Sequence, residues 1–241
     1  MGKDKLKKFA LFLSYKNCFT FPYQNKGKWH TTVFKNNNPI VLELGCGKGE
    51  YSVALAQEYP NENFVGIDLK SNRMWRGAKT AIDNNIVNVV FVRTVIEKIN
   101  LLFEQNEVDE IWITFPDPFP KDRHAKHRLT HPRFLFLYCD VLKSNGIVNF
   151  KTDDDDLFDF TLDVLNQLNI KPLIILRDVH NNPYADEKLK NIKTYYEKLF
   201  MAKGRNIKYV SFNLPDKTVI KEWLNNGKKK NAQNQTSDIL A

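Results

Sequence analysis

The 241-residue sequence lacks the features that define several large classes of protein. Its three cysteines, Cys18, Cys46 and Cys139, are widely spaced and odd in number, which excludes a disulfide framework and a CxxC metal site. No apolar run approaches the roughly 20 residues that cross a bilayer, and the apolar stretch Phe9–Leu13 is too short for the core of a signal peptide. We therefore expect a protein of the reducing cytoplasm that has no membrane partner.

The sequence has fewer acidic than basic residues. The 36 Lys and Arg residues outnumber the 28 Asp and Glu residues, which gives a formal net charge of +8 at pH 7. Hydrophobic residues make up 42% of the chain, an ordinary share that excludes a wholly disordered protein. The basic excess favours an anionic partner such as nucleic acid.

From Pro39 onward, short apolar runs alternate with longer amphipathic stretches, and this alternation predicts an α/β fold with a doubly wound, mainly parallel sheet and helices on both faces. The runs have the length and the β-branched or aromatic content of strands. The predicted strands are Ile40–Leu44, Phe64–Ile67, Val87–Val92, Val108–Phe115 and Ile147–Phe150, with edge strands at Leu173–Leu176 and Ile207–Leu214. The predicted helices are Glu50–Tyr59, Ser71–Asn84, Ile96–Phe103, Arg133–Lys143, Asp154–Asn169 and Thr194–Lys203.

The two ends of the chain differ from this regular part. Residues 1–38 form a basic extension and a loop-rich lead-in, and because five lysines lie within residues 1–16 we expect that part to become ordered against a partner. Residues 39–214 form one α/β domain. Residues 215–241 form a C-terminal segment that we expect to be disordered after residue 227.

The first predicted strand ends in a glycine-rich turn that precedes a helix. Glu43 comes before glycines spaced G-x-G-x-G, at Gly45, Gly47 and Gly49, which let the main chain approach a ligand closely. This spacing is not the G-x-G-x-x-G pattern of a pyrophosphate site, and an acid beside the turn suits a ligand with a cationic end. Asp68 ends the next strand, where a carboxylate can accept from both ribose hydroxyls. Together these features predict S-adenosylmethionine, with its ribose on Asp68 and its amino-acid part near Glu43.

A simpler interpretation is that the glycines only form a tight turn and that Asp68 caps the helix that starts near Ser71. The presence of both Glu43 and Asp68 at the two strand ends favours the cofactor site. Cys46, inside the turn, is expected to pack rather than to react.

The fourth predicted strand ends in Phe115 and is followed by the loop Pro116–Pro120. Ligands in open α/β sheets bind beyond the carboxyl ends of the strands, so Asp117 in this loop should lie where substrate and cofactor meet. The prolines fix φ and hold the carboxylate on a stiff turn. The alternative is a surface loop without function.

The next segment, residues 121–133, is rich in cationic side chains and imidazoles, with eight Lys, Arg or His among its thirteen residues. The spacing of His124, His127 and His131 makes a metal site a candidate. The surrounding cations would repel a divalent ion, so we expect no metal. A solvated loop and a phosphate-binding loop for a nucleic acid remain, and we favour the second. The predicted phosphate contacts are Arg123, Lys126 and Arg128.

Residues 15–214 resemble the bacterial tRNA (guanine-N7-)-methyltransferases. The motif Phe-Pro-Asp-Pro-Phe-Pro-Lys-x-Arg-His-x-Lys-His-Arg over residues 115–128 is the most specific part of the resemblance, and residues 150–153 and 194–197 match two further motifs of the family. The resemblance implies a class I S-adenosylmethionine-dependent methyltransferase with a Rossmann-like fold. Its implied partner is tRNA, methylated at N7 of the variable-loop guanine, position 46 in tRNA numbering.

The resemblance also implies roles for individual residues. Glu43, Asp68 and Asp117 would contact S-adenosylmethionine, and Asp117 would also be the active-site residue. Thr94 stands where many members have an aspartate near the adenine, and its hydroxyl can still accept one hydrogen bond. The implied substrate contacts are Lys121, Asp153, Thr194, Tyr195, Tyr196 and Glu197.

Methylation at guanine N7 requires no general base, because this nitrogen carries a lone pair and no proton. The enzyme has to bring N7 within about 3 Å of the methyl carbon, in line with the sulfonium. Asp117 or Asp153 would stabilise the positive charge that develops on the ring. The acids that follow, Asp154–Asp156, are interpreted as helix-start residues that complement the helix dipole.

Two other functions stay open at this point. An amino-methyltransferase acting on another nucleic acid or on protein would have an acid or amide before paired prolines, and Pro118-Phe119-Pro120 breaks that order. A non-catalytic RNA-binding module could keep the same fold, but the glycine turn and its two acids are complete. A monomer and a homodimer are both compatible with the sequence.

Overall fold

The computed structural model describes residues 3–226, and a single sheet forms its centre. The eight strands within these residues are β1 Cys18–Phe19, β2 Ile40–Leu44, β3 Asn63–Asp68, β4 Val89–Arg93, β5 Val108–Thr114, β6 Leu142–Thr152, β7 Ile174–Leu176 and β8 Lys208–Asn213. Their order across the sheet is β1-β4-β3-β2-β5-β6-β8-β7. Neighbouring strands from β1 to β6 are parallel, whereas β8 is antiparallel to both β6 and β7.

The helices cover both faces of the sheet, as a mainly parallel sheet requires when its strands are apolar on both sides. Every residue of β2 is buried, and one hydrophobic cluster packs on each face. The helices of the described residues are α1 Lys3–Ser14, α2 Glu50–Glu58, α3 Ser71–Asp83, α4 Ile99–Leu102, α5 Pro132–Tyr138, α6 Asp155–Gln167, α7 Glu187–Asn191, α8 Tyr195–Ala202 and α9 over residues 217–226. None of them is long and apolar enough to cross a membrane.

The predicted doubly wound, mainly parallel sheet is confirmed, but the predicted helix Arg133–Lys143 is wrong at its end. Helix α5 stops at Tyr138, and β6 starts at Leu142 rather than at Ile147. Residues 143–145 near the start of β6 are polar and precede Gly146. Leu142 pairs with Val108 of β5, the register then shifts, and pairing resumes at Ile147 opposite Glu110.

Residues 3–14, which the sequence predicts to become ordered against a partner, form helix α1 in this structure. Phe12 of α1 is fully buried, since the apolar stretch that interrupts the lysines packs toward α3. The segment is tied further by Asn17, whose amide donates to the Ala78 carbonyl at 3.1 Å. At the other end, α9 places Ile220 in the opposite core, while the disorder predicted after residue 227 concerns residues outside the described range. The division into domains at residues 38 and 214 stays a prediction.

The order of the strands determines where a ligand can bind. β2 pairs with β3 on one side and with β5 on the other, so the chain crosses from one half of the sheet to the other beside β2. Loops leaving the carboxyl ends of β2 and β5 therefore diverge, and they leave a crevice between them.

Candidate active site

A cleft of about 600 Å³ lies at this carboxyl edge of the sheet. Loops after five parallel strands contribute to it, together with the start of α8. Nine of the residues predicted for the site line it: Glu43, Gly45, Gly47, Asp68, Thr94, Asp117, Asp153, Thr194 and Tyr196. The structure therefore brings most of the predicted cofactor and substrate residues into one space.

The glycine turn between β2 and α2 is left-handed at Gly45, Gly47 and Gly49, where φ is 74°, 56° and 71°. Residues with a Cβ are strained in this region, which accounts for the G-x-G-x-G spacing. Gly49 does not line the cleft. It packs on the Phe91 ring, where an added Cβ would lie 2.3 Å from a ring carbon, so Gly49 supports the turn from behind.

Asp68 joins the glycine turn to the loop before α3. Its Oδ2 accepts from the Gly47 N–H at 2.9 Å, and its Oδ1 accepts from the Lys70 N–H at 2.7 Å. Each carboxylate oxygen retains a further lone pair toward the cleft. Asp68 does not cap α3, because the N-cap of this helix is Lys70 and it has no side-chain cap. Asp68 lines the cleft, and its contact with the ribose stays a prediction.

Glu43 of β2 is 4% exposed, and its side chain lies between β5 and the first turn of α2. Oε2 accepts from the main-chain N–H of Ser52, at 2.9 Å, and from its hydroxyl, and Oε1 accepts from the Thr114 hydroxyl at 2.7 Å. Burial raises the pKa of Glu43 to about 7, since desolvation outweighs the hydrogen bonds that favour the ionised form. The charge beside the glycine turn therefore changes near neutral pH.

Asp117 is exposed to the cleft on the loop after β5. The residues two positions before and after it, Phe115 and Phe119, have φ values of 48° and 47°. Left-handed backbone is unfavourable for a bulky side chain, and it persists only where surrounding contacts hold it. On the strand side, the Phe115 N–H donates to the Lys151 carbonyl of β6 at 2.9 Å.

Arg128 holds the other half of this loop. Its side chain points inward and is 7% exposed; Nε donates to the Pro118 carbonyl and Nη2 to the Phe119 carbonyl, both at 3.1 Å. The guanidinium carbon lies 4.4 Å from the centre of the Phe160 ring on α6. Its charge is therefore buried against the protein's own main chain, and the tRNA phosphate contact expected of it stays a prediction.

The other predicted cations of this segment point to solvent. Lys121, Arg123 and Lys126 are exposed on the short helical turn Asp122–His127 and at the residue before it, beside the cleft wall that Phe119 and His127 form. Their predicted phosphate and substrate contacts stay predictions.

The histidines of the segment do not converge. No group of three His, Cys, Asp or Glu side chains within residues 3–226 could hold a metal ion. The His131 ring instead caps α5, since its Nδ1 accepts from the Arg133 N–H at 3.1 Å. Burial, together with the nearby Arg133 and Arg128, lowers the pKa of His131 to about 4, so that this imidazole is neutral at physiological pH.

Asp153 lines the cleft directly after β6 and is 8% exposed. Its Oδ2 accepts from Arg205 Nη1 at 2.6 Å, and Arg205 itself lines the cleft. The acids that follow are helix-start residues, as predicted: Asp154 caps α6 by accepting from the Leu157 N–H at 2.8 Å. Lys208 pairs with Asp155 at 2.8 Å, so the acidic run is partly neutralised.

The residues predicted from the motif at 194–197 have three different positions. Thr194 caps α8 by accepting from the Glu197 N–H at 3.1 Å, and it lines the cleft together with Tyr196. Tyr195 is 54% exposed and does not line the cleft. Its N–H donates to Glu50 at 2.7 Å, and its ring packs under the Lys48 ammonium, 4.2 Å away. Residues of the glycine turn therefore hold the start of α8.

Glu197 is fully buried and does not line the cleft, so the substrate contact implied for it stays a prediction. Its Oε1 pairs at 2.8 Å with Lys151 Nζ, which is equally buried, and lies 2.8 Å from His180 Nε2. Lys151 also donates to the Leu189 carbonyl at 2.8 Å. Burial lowers the pKa of Lys151, although the Glu197 carboxylate opposes this shift. The pair fastens α8 to β6 beneath the cleft.

Phe115 and Phe200 are among the aromatic residues that line the cleft but were not predicted as site residues. Phe200 lies 6.2 Å from Tyr196, with the ring planes 24° apart, and 6.1 Å from Phe115, so the three rings form one wall. Such a wall offers π-faces on which a nucleobase can stack. The available signal was the four-residue spacing of Tyr196 and Phe200, which places both on one side of a helix.

Comparison with known proteins identifies the relatives of this chain. Residues 37–210 match the family model described as a putative methyltransferase. A tRNA (guanine-N(7)-)-methyltransferase of Christiangramia forsetii is 47% identical over 221 residues, covering 88% of this chain and 99% of the relative. An enzyme of the same name from Bacteroides fragilis is 43% identical over 230 residues, covering 92% and 90%.

Solved structures show the fold. The 16S rRNA methyltransferase KamB superposes with a TM-score of 0.59 at 14% identity, covering 80% of this chain and 95% of that one. An antibiotic-related methyltransferase gives a TM-score of 0.57 at 20% identity, covering 78% and 93%. These structures support the class I methyltransferase fold, and the sequence relatives confirm the resemblance seen in the motifs: the chain belongs to the tRNA (guanine-N(7)-)-methyltransferase family.

Proposed function

We propose that this protein transfers the methyl group of S-adenosylmethionine to N7 of guanine 46 in the variable loop of tRNA. The observation that carries the proposal is the composition of one cleft. Glu43, Asp68 and the glycine turn line one side, while Asp117 and the aromatic wall of Phe115, Tyr196 and Phe200 line the other. Family membership supports guanine N7 as the acceptor and tRNA as the substrate, which would place the reaction in the cytoplasm.

The residues on the first side fit S-adenosylmethionine. Asp68 has free lone pairs for two ribose hydroxyls, and Glu43 provides a carboxylate whose ionised form a cationic amino-acid group would favour. Thr94 and the apolar side chains of Ile96 and Leu129 line the adjoining part of the cleft, where the adenine would bind. The volume of about 600 Å³ lies within the range of about 300–1,000 Å³ that is usual for small-molecule sites. S-adenosylmethionine would supply a methyl group activated by its sulfonium.

The residues on the second side fit a guanine that has left its stack. The aromatic wall would hold the base by its face, which compensates for lost stacking in the RNA. Because N7 carries no proton, the protein has to align the base and stabilise the charge that appears on it. The Asp117 carboxylate would provide that stabilisation, with Asp153 kept in place by Arg205.

The test is methylation of unmodified tRNA with labelled S-adenosylmethionine, followed by borohydride–aniline cleavage, which cuts the chain at N7-methylguanosine. We expect incorporation of label and cleavage at position 46, and neither in a tRNA that carries adenosine there. Label without cleavage would indicate an amino-methyltransferase. tRNA binding without label would indicate a non-catalytic module, and either result would refute the proposal.

A further inference from the structure

The loop that carries Asp117 has few main-chain N–H groups with which to form hydrogen bonds. Residues 116, 118 and 120 are prolines, which have no N–H to donate, so Asp117 and Phe119 are the only N–H donors of the loop 116–120. The carbonyls of this loop are therefore the groups through which the protein can fix it. Phe119 has a φ of 47°, an unfavourable conformation for a bulky side chain that persists only where surrounding contacts hold it.

Arg128 binds two successive carbonyls of this loop, those of Pro118 and Phe119. A planar guanidinium presents two parallel N–H groups, so it fixes the orientation of the main chain as well as its position. No other residue of the described chain donates a side-chain hydrogen bond to these two carbonyls.

Arg128 is itself positioned by a column of rings. Its guanidinium lies on Phe160 of α6, the His131 ring stacks on Phe160 at 6.4 Å with the planes 18° apart, and Trp223 of α9 meets His131 edge-on at 6.2 Å. The neutral His131 does not repel the guanidinium above it. The ring that contacts the Arg128 guanidinium is thus packed in turn against His131, which meets Trp223 of α9.

We propose that Arg128 is a positioning residue that holds the Asp117 loop in its reactive conformation and that it does not bind tRNA. The inference rests on the proposed function, because methyl transfer is its main readout. A phosphate contact needs an accessible cation, and the neighbouring Arg123 is exposed whereas Arg128 is not. Arg128 acts on the chemical step through the main chain at Pro118 and Phe119.

Arg128→Lys distinguishes the two roles. Lysine keeps the positive charge that would attract a phosphate, but its point-like ammonium cannot reproduce a planar fork across two carbonyls. We expect kcat to fall about 10-fold or more, with the KM for tRNA and the salt dependence of tRNA binding close to those of the wild type. The matched control, Arg123→Ala, should raise KM and flatten the plot of log affinity against log salt by somewhat less than about one unit.

A kcat near the wild-type value in Arg128→Lys, or a flattened salt plot in Arg128→Ala, would overturn the proposal. Phe160→Leu is a second variant that keeps Arg128 and removes the ring beneath it. We expect it to lower kcat by a smaller factor without changing tRNA binding. A kcat equal to that of the wild type would show that the column does not position the arginine.

Main-chain NMR resonances provide a readout that does not depend on methyl transfer. The amide resonances of Asp117 and Phe119 should shift or broaden in folded Arg128→Lys relative to the wild type, and Arg123→Ala should leave them unchanged. Resonances that are equal in all three proteins would refute the positioning role. If the wild-type protein methylated no tRNA, the proposed function would fail, while the resonances would still decide how the loop is held.

Discussion

The two sides of the cleft are held together by different kinds of contact. On the side of β2 and β3, contacts with neighbouring main-chain groups predominate, as when Asp68 accepts the N–H of Gly47, although Glu43 also accepts from the Thr114 hydroxyl of β5. On the side of β5 and β6, charged side chains from distant segments do so: Arg205 pairs with Asp153, and Arg128 binds the loop of Asp117. Main-chain contacts survive most side-chain replacements. The second side should therefore be sensitive to single substitutions outside the cleft, and the first side should not.

The largest expected effect is a loss of unfolding free energy on replacement of Glu197, beneath the second side of the cleft. Glu197→Ala leaves the buried Lys151 ammonium without its carboxylate, and removing one partner of a buried pair costs about 3–5 kcal/mol of unfolding free energy. Denaturant unfolding measures this loss.

The double variant Lys151→Met/Glu197→Leu should recover most of the stability, since it removes both charges. Glu187→Ala, on exposed α7, is the control and should cost little. A loss below about 1 kcal/mol in Glu197→Ala would show that the second side does not depend on this pair.

Asp117→Ala tests the chemical role of the second side. Loss of one preorganised electrostatic group should lower the rate of methyl transfer about 10²-fold or more, while the cofactor still binds. Single-turnover measurement on tRNA gives the rate of this step. Asp122→Ala removes a nearby exposed acid and should leave the rate close to that of the wild type. Near-normal turnover in a folded Asp117→Ala protein would remove Asp117 from the chemistry.

Asp68→Ala tests the first side directly. The variant loses a charge-assisted acceptor for the ribose, so S-adenosylmethionine should bind about 1.5–3 kcal/mol more weakly by calorimetry. Asp83→Ala, at the exposed end of α3, is the matched control and should bind the cofactor normally. Unchanged affinity in a folded Asp68→Ala protein would contradict the ribose contact, although the turn itself could persist through Gly45.

The smallest effect, counted per pH unit, is a pH dependence of stability at Glu43. Its pKa is about 7 in the folded protein, whereas a glutamate in an unfolded chain has its ordinary pKa of 4.5, so between these values the unfolded chain has lost a proton that the folded protein keeps. Stability therefore falls as pH rises through this window, by at most about 1.4 kcal/mol per pH unit. Glu43→Gln should remove that slope. Unfolding of both proteins at pH 5, 6 and 7 gives the comparison, and equal slopes would contradict the raised pKa.

The first side could be predicted from the sequence because its determinants are local. Glycine spacing reports the backbone angles of the turn, and Asp68 follows its strand directly, so the strand end places it. The second side was predicted only by residue type. Arg128 and Glu197 were both expected to face RNA, but a motif or a charge does not give the direction of a side chain. That direction depends on Phe160 and on Lys151, which lie far away in the sequence.

The same limit explains α1 and β6. The lysines of residues 3–14 suggested an extension, yet the buried Phe12 determines the packing of the helix. The apolar run predicted a strand that starts at Ile147, yet Leu142 already pairs with Val108 of β5. In both cases a contact with a distant element overrides the local pattern.

The position of β8 has a consequence for the order in which the protein becomes functional during synthesis. β8 is inserted between β6 and β7, although both of those strands precede it in the chain. A nascent chain that has not yet reached Lys208 contains the whole glycine turn, Asp68 and Asp117, but β6 is then an open edge. The ammonium that pairs with Asp155 is absent from such a chain. A ribosome-bound chain that stops before Lys208 would therefore carry the proposed cofactor residues on a sheet whose second side is still unpaired at β6.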